Sequence, residues 1–528
     1  MVLFLSFFVE PAREPWFSPL SFLDSVTVVA SPGTLILMFS FCRLVLFFYL
    51  LLSRNFLLVN ALPSTSQRSL SVPLSHPRYS STSSTGFYIH GSIVQQQHIN
   101  RGIKRLSFMA GRAIPSDYEL LSNIWQRISL LSPAQQSAYP FQEMTTLLSQ
   151  HTSAFSNFKS GSGTNHSSSY PTTRFHPEKH RARISTYQPT SHTTGLSIEA
   201  PDIGYMTEVR IGTPPTTFEL LVDSGSADLW VGAVGCRSDA GGDCGNHTFL
   251  GPHKSSSYNQ SKEDWAIGYV SGSVWGYLVQ DVVSIADLTI KNHTFGVAYN
   301  ESKDFTGNNI PFDGLLGLGK PDISQQRVPT FLQSLFQAKL IAAPIVSYKL
   351  PRLADGSNNT GEMTLGAMDP NHYYPKSLVT VKNANKFGFW SVAADAVKVG
   401  SRNMNWSNRT MVMDTGTTLI IAPKNDVDEI HKLIPGALYD GNEWTVPCNM
   451  STAVSLIIGG KQFTILPSDV AFYPVEQGSA TCMSGIGIGG VGPFYLDTEW
   501  LVGDVFLKNV YFSTNEETDE ISIAKPLF

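Results

Sequence analysis

Cysteine is scarce in this 528-residue chain, with five residues in all. No Cys/His spacing resembles a zinc site, so neither a metal-built fold nor a metal-dependent reaction is expected, and no motif calls for a cofactor. No sign of charge dominates: 37 Lys and Arg stand against 42 Asp and Glu, a net charge of −5. Nucleic acid is not an expected partner at that balance. The C-terminus has no apolar tail, which argues against a lipid-anchor signal. From about residue 195 onward long helical patterns are missing. That region is dense in short β-branched and aromatic runs set off by Gly, Pro, Asn and Asp, which predicts an all-β body with short helices near 328–339 and 424–433.

Two segments echo each other. Leu221-Val222-Asp223-Ser224-Gly225-Ser226 and Val412-Met413-Asp414-Thr415-Gly416-Thr417 each run from apolar residues through an aspartate, a small hydroxyl residue and a glycine to a second hydroxyl. One copy is ordinary turn vocabulary. The echo continues downstream, however. Gly317 follows Asp223 by 94 residues within Phe312-Asp313-Gly314-Leu315-Leu316-Gly317, and Gly503 follows Asp414 by 89 within Trp500-Leu501-Val502-Gly503-Asp504. Matched offsets of this kind are the trace of a duplication that sets two aspartates face to face. The bland alternative is two unrelated turns and two glycine-bearing strands.

From about Gly195 to Phe528 the chain resembles the pepsin-like aspartic proteases. Further matching stretches are Leu229-Trp230-Val231, Gly268-Tyr269-Val270-Ser271-Gly272-Ser273 and Gly503-Asp504-Val505-Phe506-Leu507. The resemblance implies a bilobal fold of two related β lobes around a central cleft, acting on polypeptides as an endopeptidase at acid pH. It makes Asp223 and Asp414 the catalytic pair. Two close carboxylates share one proton over a wide acid range, so one accepts a proton from an attacking water while the other donates to the carbonyl oxygen. Ser224 and Thr415 would bond across to the opposite lobe. Gly225 and Gly416 would bring their amides to the carboxylates, and Ser226 and Thr417 would bond the outer oxygens. Ser224 departs from the family's usual threonine, leaving the hydroxyl without its methyl, and activity is expected to persist with a looser dyad.

The segment around Tyr269 resembles the family's flap, with Ser271 and Gly272 at the substrate and the Tyr269 hydroxyl reaching toward Trp230. Val270 replaces a usual glycine and stiffens the tip. Leu221, Phe312 and Leu315 align with the main apolar pocket, which would favour bulky apolar residues at the scissile bond. Phe305 is a further candidate, at a slightly different spacing. Ordinary aromatic packing and plain core remain the alternatives at these positions. Of three possible connectivities, Cys236–Cys244 and Cys448–Cys482 fit best, one short loop per lobe at positions resembling the family's.

The first third reads differently. Residues 1–61 are apolar, and Met38 opens a signal-peptide pattern: Arg43, then Leu44 to Leu52, then Val59-Asn60-Ala61 at the cleavage point. A membrane anchor is the alternative, in which case the protein touches membrane through that segment. In the signal-peptide reading, residues 1–37 are an upstream start that is not used. Residues 62–194 are expected to be a basic pro-segment and a Ser/Thr-rich linker, ahead of lobes at 195–382 and 383–528. Ile114 to Leu131 reads as one helix. Lys104-Arg105 and His180-Arg181-Ala182-Arg183 are candidate processing sites. Charge divides at the same place: 12 Lys and Arg against 4 Asp and Glu over 62–189, and 22 against 35 over 190–528. A basic pro-segment would lie on the acidic body as an intramolecular inhibitor, released when acid protonates carboxylates. Sequons at Asn246, Asn259, Asn292, Asn300, Asn358, Asn405, Asn408 and Asn449 fit glycosylation of an exported protein, either secreted or sent to an acidic vacuole. A monomer is expected. The competing readings are an inactive peptide-binding homologue and a membrane-tethered protease.

Overall fold

The computed structural model describes residues 70–74, 90–109, 115, 117–136 and 196–199, and residues 204–527 apart from 240, 270–271, 303–304, 307–309, 353, 356–360, 407 and 490–497. The signal-peptide reading, the linker through 195, His180 to Arg183, Val270, Ser271 and Asn358 lie outside the described residues.

The duplication visible in the sequence is a repeated strand pattern. In the first half, strand Thr216–Asp223 runs parallel to Gly314–Gly317, with Asp223 opposite Gly317. Strand Leu229–Ser238 covers the other side of Gly314–Gly317 antiparallel. In the second half, Arg409–Met413 runs parallel to Glu499–Val502, with Met413 opposite Val502. Ile420–Ala422 then closes that strand antiparallel. Asp, turn and returning strand therefore have the same arrangement twice. The four residues of Gly314–Gly317 are all buried, as a central strand demands.

The first half forms an eight-stranded sheet. The second half builds a five-stranded sheet and two four-stranded sheets. A six-stranded sheet joins them, in the order Leu70–Leu74, Gly361–Leu365, Ile345–Lys349, Tyr511–Asn515, Glu520–Ala524, Val379–Lys382. It combines strands from both halves with one strand from far upstream. Alternate residues of Thr216–Asp223 point inward, and Phe218, Leu220 and Val222 are fully buried. Each contributes about 1.5–3 kcal/mol of apolar burial. This is the bilobal all-β architecture expected, in which strands pack as layers about a common core.

The four longest helices among the described residues accompany the sheets. Helix α1 spans Gly91–Met109 and α2 spans Asp117–Ser129. The second lies within the helix expected between Ile114 and Leu131, with Leu120 and Ile128 buried. Helix α3, Phe331–Gln337, starts on a capping box between Thr330 and Gln333. Helix α4, Lys424–His431, is the other short helix foreseen. No sequence expectation covered α1. Its buried face carries Ile99, Ile103 and Leu106, but also Gln95, Gln96, His98 and Asn100.

Candidate active site

Asp223 ends one strand and Asp414 follows its counterpart, and both are fully buried. The loops hold them alike. The Gly225 amide donates to Asp223 Oδ1 at 2.9 Å, and the Ser226 hydroxyl donates to Oδ2 at 2.6 Å. The Gly416 amide donates to Asp414 Oδ1 at 3.0 Å, and the Thr417 hydroxyl donates to Oδ2 at 2.5 Å. Two donors thus fix the plane of each carboxyl. Glycine is required here by space as well. A Cβ on Gly225 would stand 2.6 Å from Asp414 Oδ1, and one on Gly416 would collide with Asp223 Oδ1. Each loop's backbone presses on the opposite carboxylate.

Behind the dyad the loops are cross-tied. The Ser224 amide donates to Thr415 Oγ1 at 3.0 Å, and the Thr415 amide donates to Ser224 Oγ at 3.0 Å. The Ser224 hydroxyl donates to the Met413 carbonyl at 3.2 Å, and the Thr415 hydroxyl donates to the Val222 carbonyl at 3.0 Å. The serine makes the same two bonds as the threonine at nearly the same lengths. The expected loosening from the missing methyl is therefore absent from this geometry. Burial pushes the Asp414 carboxyl up to about 6, with the Arg105 guanidinium opposing and the Asp223 charge adding to the rise.

Arg105 is the residue that sequence reasoning misplaced. It lies in the last turns of α1, and its guanidinium sits between the aspartates. One terminal nitrogen pairs with Asp223 Oδ1. Nε lies 2.5 Å from Asp414 Oδ2, an ion contact off the N–H direction rather than an aligned hydrogen bond. Its side chain is 12% exposed. Arg105 in this position is buried against the two aspartates and is not exposed as half of a dibasic site. The available signal was the Ile99, Ile103, Leu106 spacing around it.

The remaining candidates gather above Asp223. Trp230 Nε1 donates to the Tyr269 hydroxyl at 2.8 Å. The Tyr269 amide donates to the Gly272 carbonyl at 2.6 Å and closes the hairpin tip. Leu221, Phe305, Phe312 and Leu315 join Trp230 and Tyr269 in one apolar cluster, separate from the main core. Phe305 is in contact despite its spacing, with its ring 5.6 Å from Trp230 and 6.3 Å from Phe312. Asp228, which sequence reasoning did not single out, anchors the loop beyond: Ser324 Oγ donates to it at 2.5 Å and the Gln325 amide at 2.8 Å. Among the described residues, Cys236, Cys244 and Glu301, and Glu362, Asp369 and His372, converge closely enough to hold a metal ion. The first group contains a disulfide and the second a His372–Glu362 ion pair at 2.8 Å.

A family model described as eukaryotic aspartyl protease matches residues 204–526, more than half of the chain. The chain belongs to that family. A relative from Arthroderma benhamiae, named "Probable aspartic-type endopeptidase CTSD", is 32% identical over 344 residues, 65% of each chain. The aspartic-type endopeptidase ctsD of Aspergillus fumigatus is 32% identical over 349 residues, 66% of this chain and 70% of its own. Cathepsin D of Gallus gallus is 33% identical over 333 residues, 61% of this chain and 81% of its own. The match with the Arthroderma relative thus spans just under two thirds of that protein. As in the pairing expected from the family, Cys236 is bonded to Cys244 and Cys448 to Cys482, with Cα separations of 5.6 and 5.0 Å. Among the described residues, no helix is long and apolar enough to cross a membrane.

Proposed function

We propose that this family member is an acid endopeptidase made as a zymogen, with Asp223 and Asp414 as its catalytic pair. The observation that carries the reading is the buried, doubly hydrogen-bonded carboxyl pair with a guanidinium lodged between its members. Paired carboxylates share a proton because like charges this close do not both ionise cheaply. One then accepts a proton from the attacking water and the other donates to the substrate carbonyl oxygen, with no covalent intermediate. The proton belongs to the pair, and neither aspartate owns it throughout the cycle. Fixed amide and hydroxyl donors orient the carboxylates before substrate arrives, so little reorganisation is left for the reaction.

Arg105 occupies the place a water needs, so residues 62–194 act as the chain's own inhibitor until α1 leaves. Beyond Arg105, α1 and α2 are held on the second lobe by Arg127. Its guanidinium donates to Gln96 Oε1 at 2.8 Å and to Asp440 at 3.3 Å. The lobes are assigned to 195–382 and 383–528. The apolar cluster of Leu221, Phe305, Phe312 and Leu315 with Tyr269 supports bulky apolar side chains at the scissile bond. The disulfides support an oxidising destination, secreted or vacuolar, for a monomeric enzyme. The test is cleavage of a denatured protein by processed chain between about pH 2 and 6. Cleavage blocked by a statine-type inhibitor is expected. Processed, folded protein that cleaves nothing across that range would end the enzyme reading.

A further inference from the structure

We infer that His98, on the helix that carries Arg105, is the acid sensor that releases that helix. The inference rests on the reading of residues 62–194 as an inhibitory segment, and adds how acid is detected.

Helix α1 lies along the second lobe. Its Gly91 amide donates to the Val475 carbonyl at 2.8 Å, and Gln95 Nε2 donates to the Ser484 carbonyl at 2.8 Å. Ile99 fits beside Gly487, where an added Cβ would stand 3.0 Å from it. His98 sits in the middle of this contact and is 7% exposed. Its ring meets Phe472 edge-on at 5.7 Å and 89°. This is a site made for a neutral imidazole.

The charges around it agree. The strands under α1 are Ile420–Ala422, Ala471–Pro474, Thr481–Ser484 and Ile486–Ile488. Their titratable side chains are Tyr473, next to Phe472, and Cys482, which is bonded to Cys448. On α2, Glu119 is exposed and Arg127 faces Asp440 and Glu443. On α1 itself, Arg101 is the charge that acts on the imidazole, and it repels an imidazolium. Glu476 is taken by His90 at 3.9 Å and by Gln135 at 2.5 Å. No carboxylate among these residues is placed to hold a protonated His98.

Burial first, and Arg101 second, hold His98 down at about 3 while α1 is docked. Released into water, the imidazole returns to an ordinary value of about 6.5. The docked state therefore keeps its full stability above about pH 6.5 and loses it as pH falls toward 3. Each pH unit in that window multiplies the released population about tenfold. Other groups serve less well: burial also holds His90 down at the start of α1, but Glu476 at 3.9 Å pulls the opposite way. His293 is equally buried, but in strand Leu288–Glu301, away from the α1 contact. His431 lies beneath the seat of α1, with Nε2 2.8 Å from the Ser484 hydroxyl, but its other ring nitrogen meets the Val427 carbonyl and its ring stacks on Trp444, so its surroundings belong to the second lobe and stay when α1 leaves. Burial raises Glu443 to about 8, so it carries a proton throughout the acid range and its contact with Arg127 does not register acid.

The test uses the full chain with His98→Leu and His98→Gln. Hydrogen exchange across residues 91–109 is followed from pH 7 to pH 3 in an Asp414→Asn background, which stops self-cleavage and leaves Asp223 to pair with Arg105. Release should move down by about one pH unit or more in either variant, and its pH dependence should lose about one proton. Acid processing of the otherwise native chain should shift alike, while the pH profile of the processed enzyme stays unchanged. An unchanged release midpoint in a folded variant overturns the inference. If the chain proves not to be a protease, exchange still reads the helix, so the two failures are distinguishable. Should the leucine variant not accumulate, the glutamine variant gives the same reading.

Discussion

In the first lobe the residues around the aspartate loop build an apolar cluster, and in the second they build a seat for a helix. Trp230, Tyr269, Phe305 and Phe312 form that cluster beside Asp223. Ile421, Phe472, Ser484 and Gly487 carry α1 beside Asp414. The loops themselves differ only slightly, in Ser224 against Thr415, and that difference leaves the cross-ties intact. A duplicated frame thus keeps the two loops alike, while their surroundings differ, an apolar cluster on one side and a docked helix on the other.

Several substitutions separate what is symmetric from what is not. The largest effect belongs to the dyad. Asp223→Asn and Asp414→Asn should each lower kcat/KM by at least about 10³-fold with the fold retained, measured on processed protein with a peptide substrate. A lobe whose substitution leaves activity within tenfold would break the symmetry of the chemistry.

The cross-ties come next. Ser224→Ala and Thr415→Val each strand one buried amide and one carbonyl, so each should cost about 2–4 kcal/mol in denaturant unfolding. The two costs should agree within about 1 kcal/mol, and Ser224→Thr should fall within about 1 kcal/mol of the natural chain. A far larger cost for one loop would show that the lobes are not held equally.

A smaller effect concerns one buried carboxyl in each lobe. Burial raises Glu301 to about 8 in the first lobe and Glu443 to about 8 in the second. A carboxyl raised in the folded state gives stability that is fully present below its ordinary value of about 4.3. That stability is lost as pH rises through about 8. The fold should therefore unfold more easily at pH 8 than at pH 5, by on the order of 1–3 kcal/mol per group. Glu301→Gln should flatten part of that dependence, and Glu443→Gln a similar part. Thermal unfolding followed across pH checks both.

The dyad was legible because its signals are local and repeated. Asp223 and Asp414 each end an apolar strand, and Gly317 and Gly503 mark the strands that pair beside those two. The Tyr269–Trp230 bond and the two disulfides followed from the family resemblance. Helix α1 was not legible, for a physical reason. Its buried face includes Gln95, Gln96, His98 and Asn100, which look solvent-facing until partners nearly four hundred residues away are known: Gln95 bonds Ser484. Gly91 and Gly102 weaken its helical pattern further. Arg105 therefore read as part of a dibasic cleavage site, because its carboxylate partners are distant in sequence. The strand at 70–74 escaped notice likewise, since its pairing with Gly361–Leu365 is wholly long-range.

Binding of a fluorescent statine-type inhibitor to the full chain at pH 7 tests the central claim most directly. The claim is that Asp223 and Asp414 form one site that Arg105 closes. The natural chain should bind poorly, and Arg105→Ala should bind at least about tenfold more tightly, since charge-assisted bonds to the dyad are worth about 1.5–3 kcal/mol each. Adding Asp223→Asn to Arg105→Ala should abolish that gain. Equal binding by the natural chain and Arg105→Ala would contradict the account.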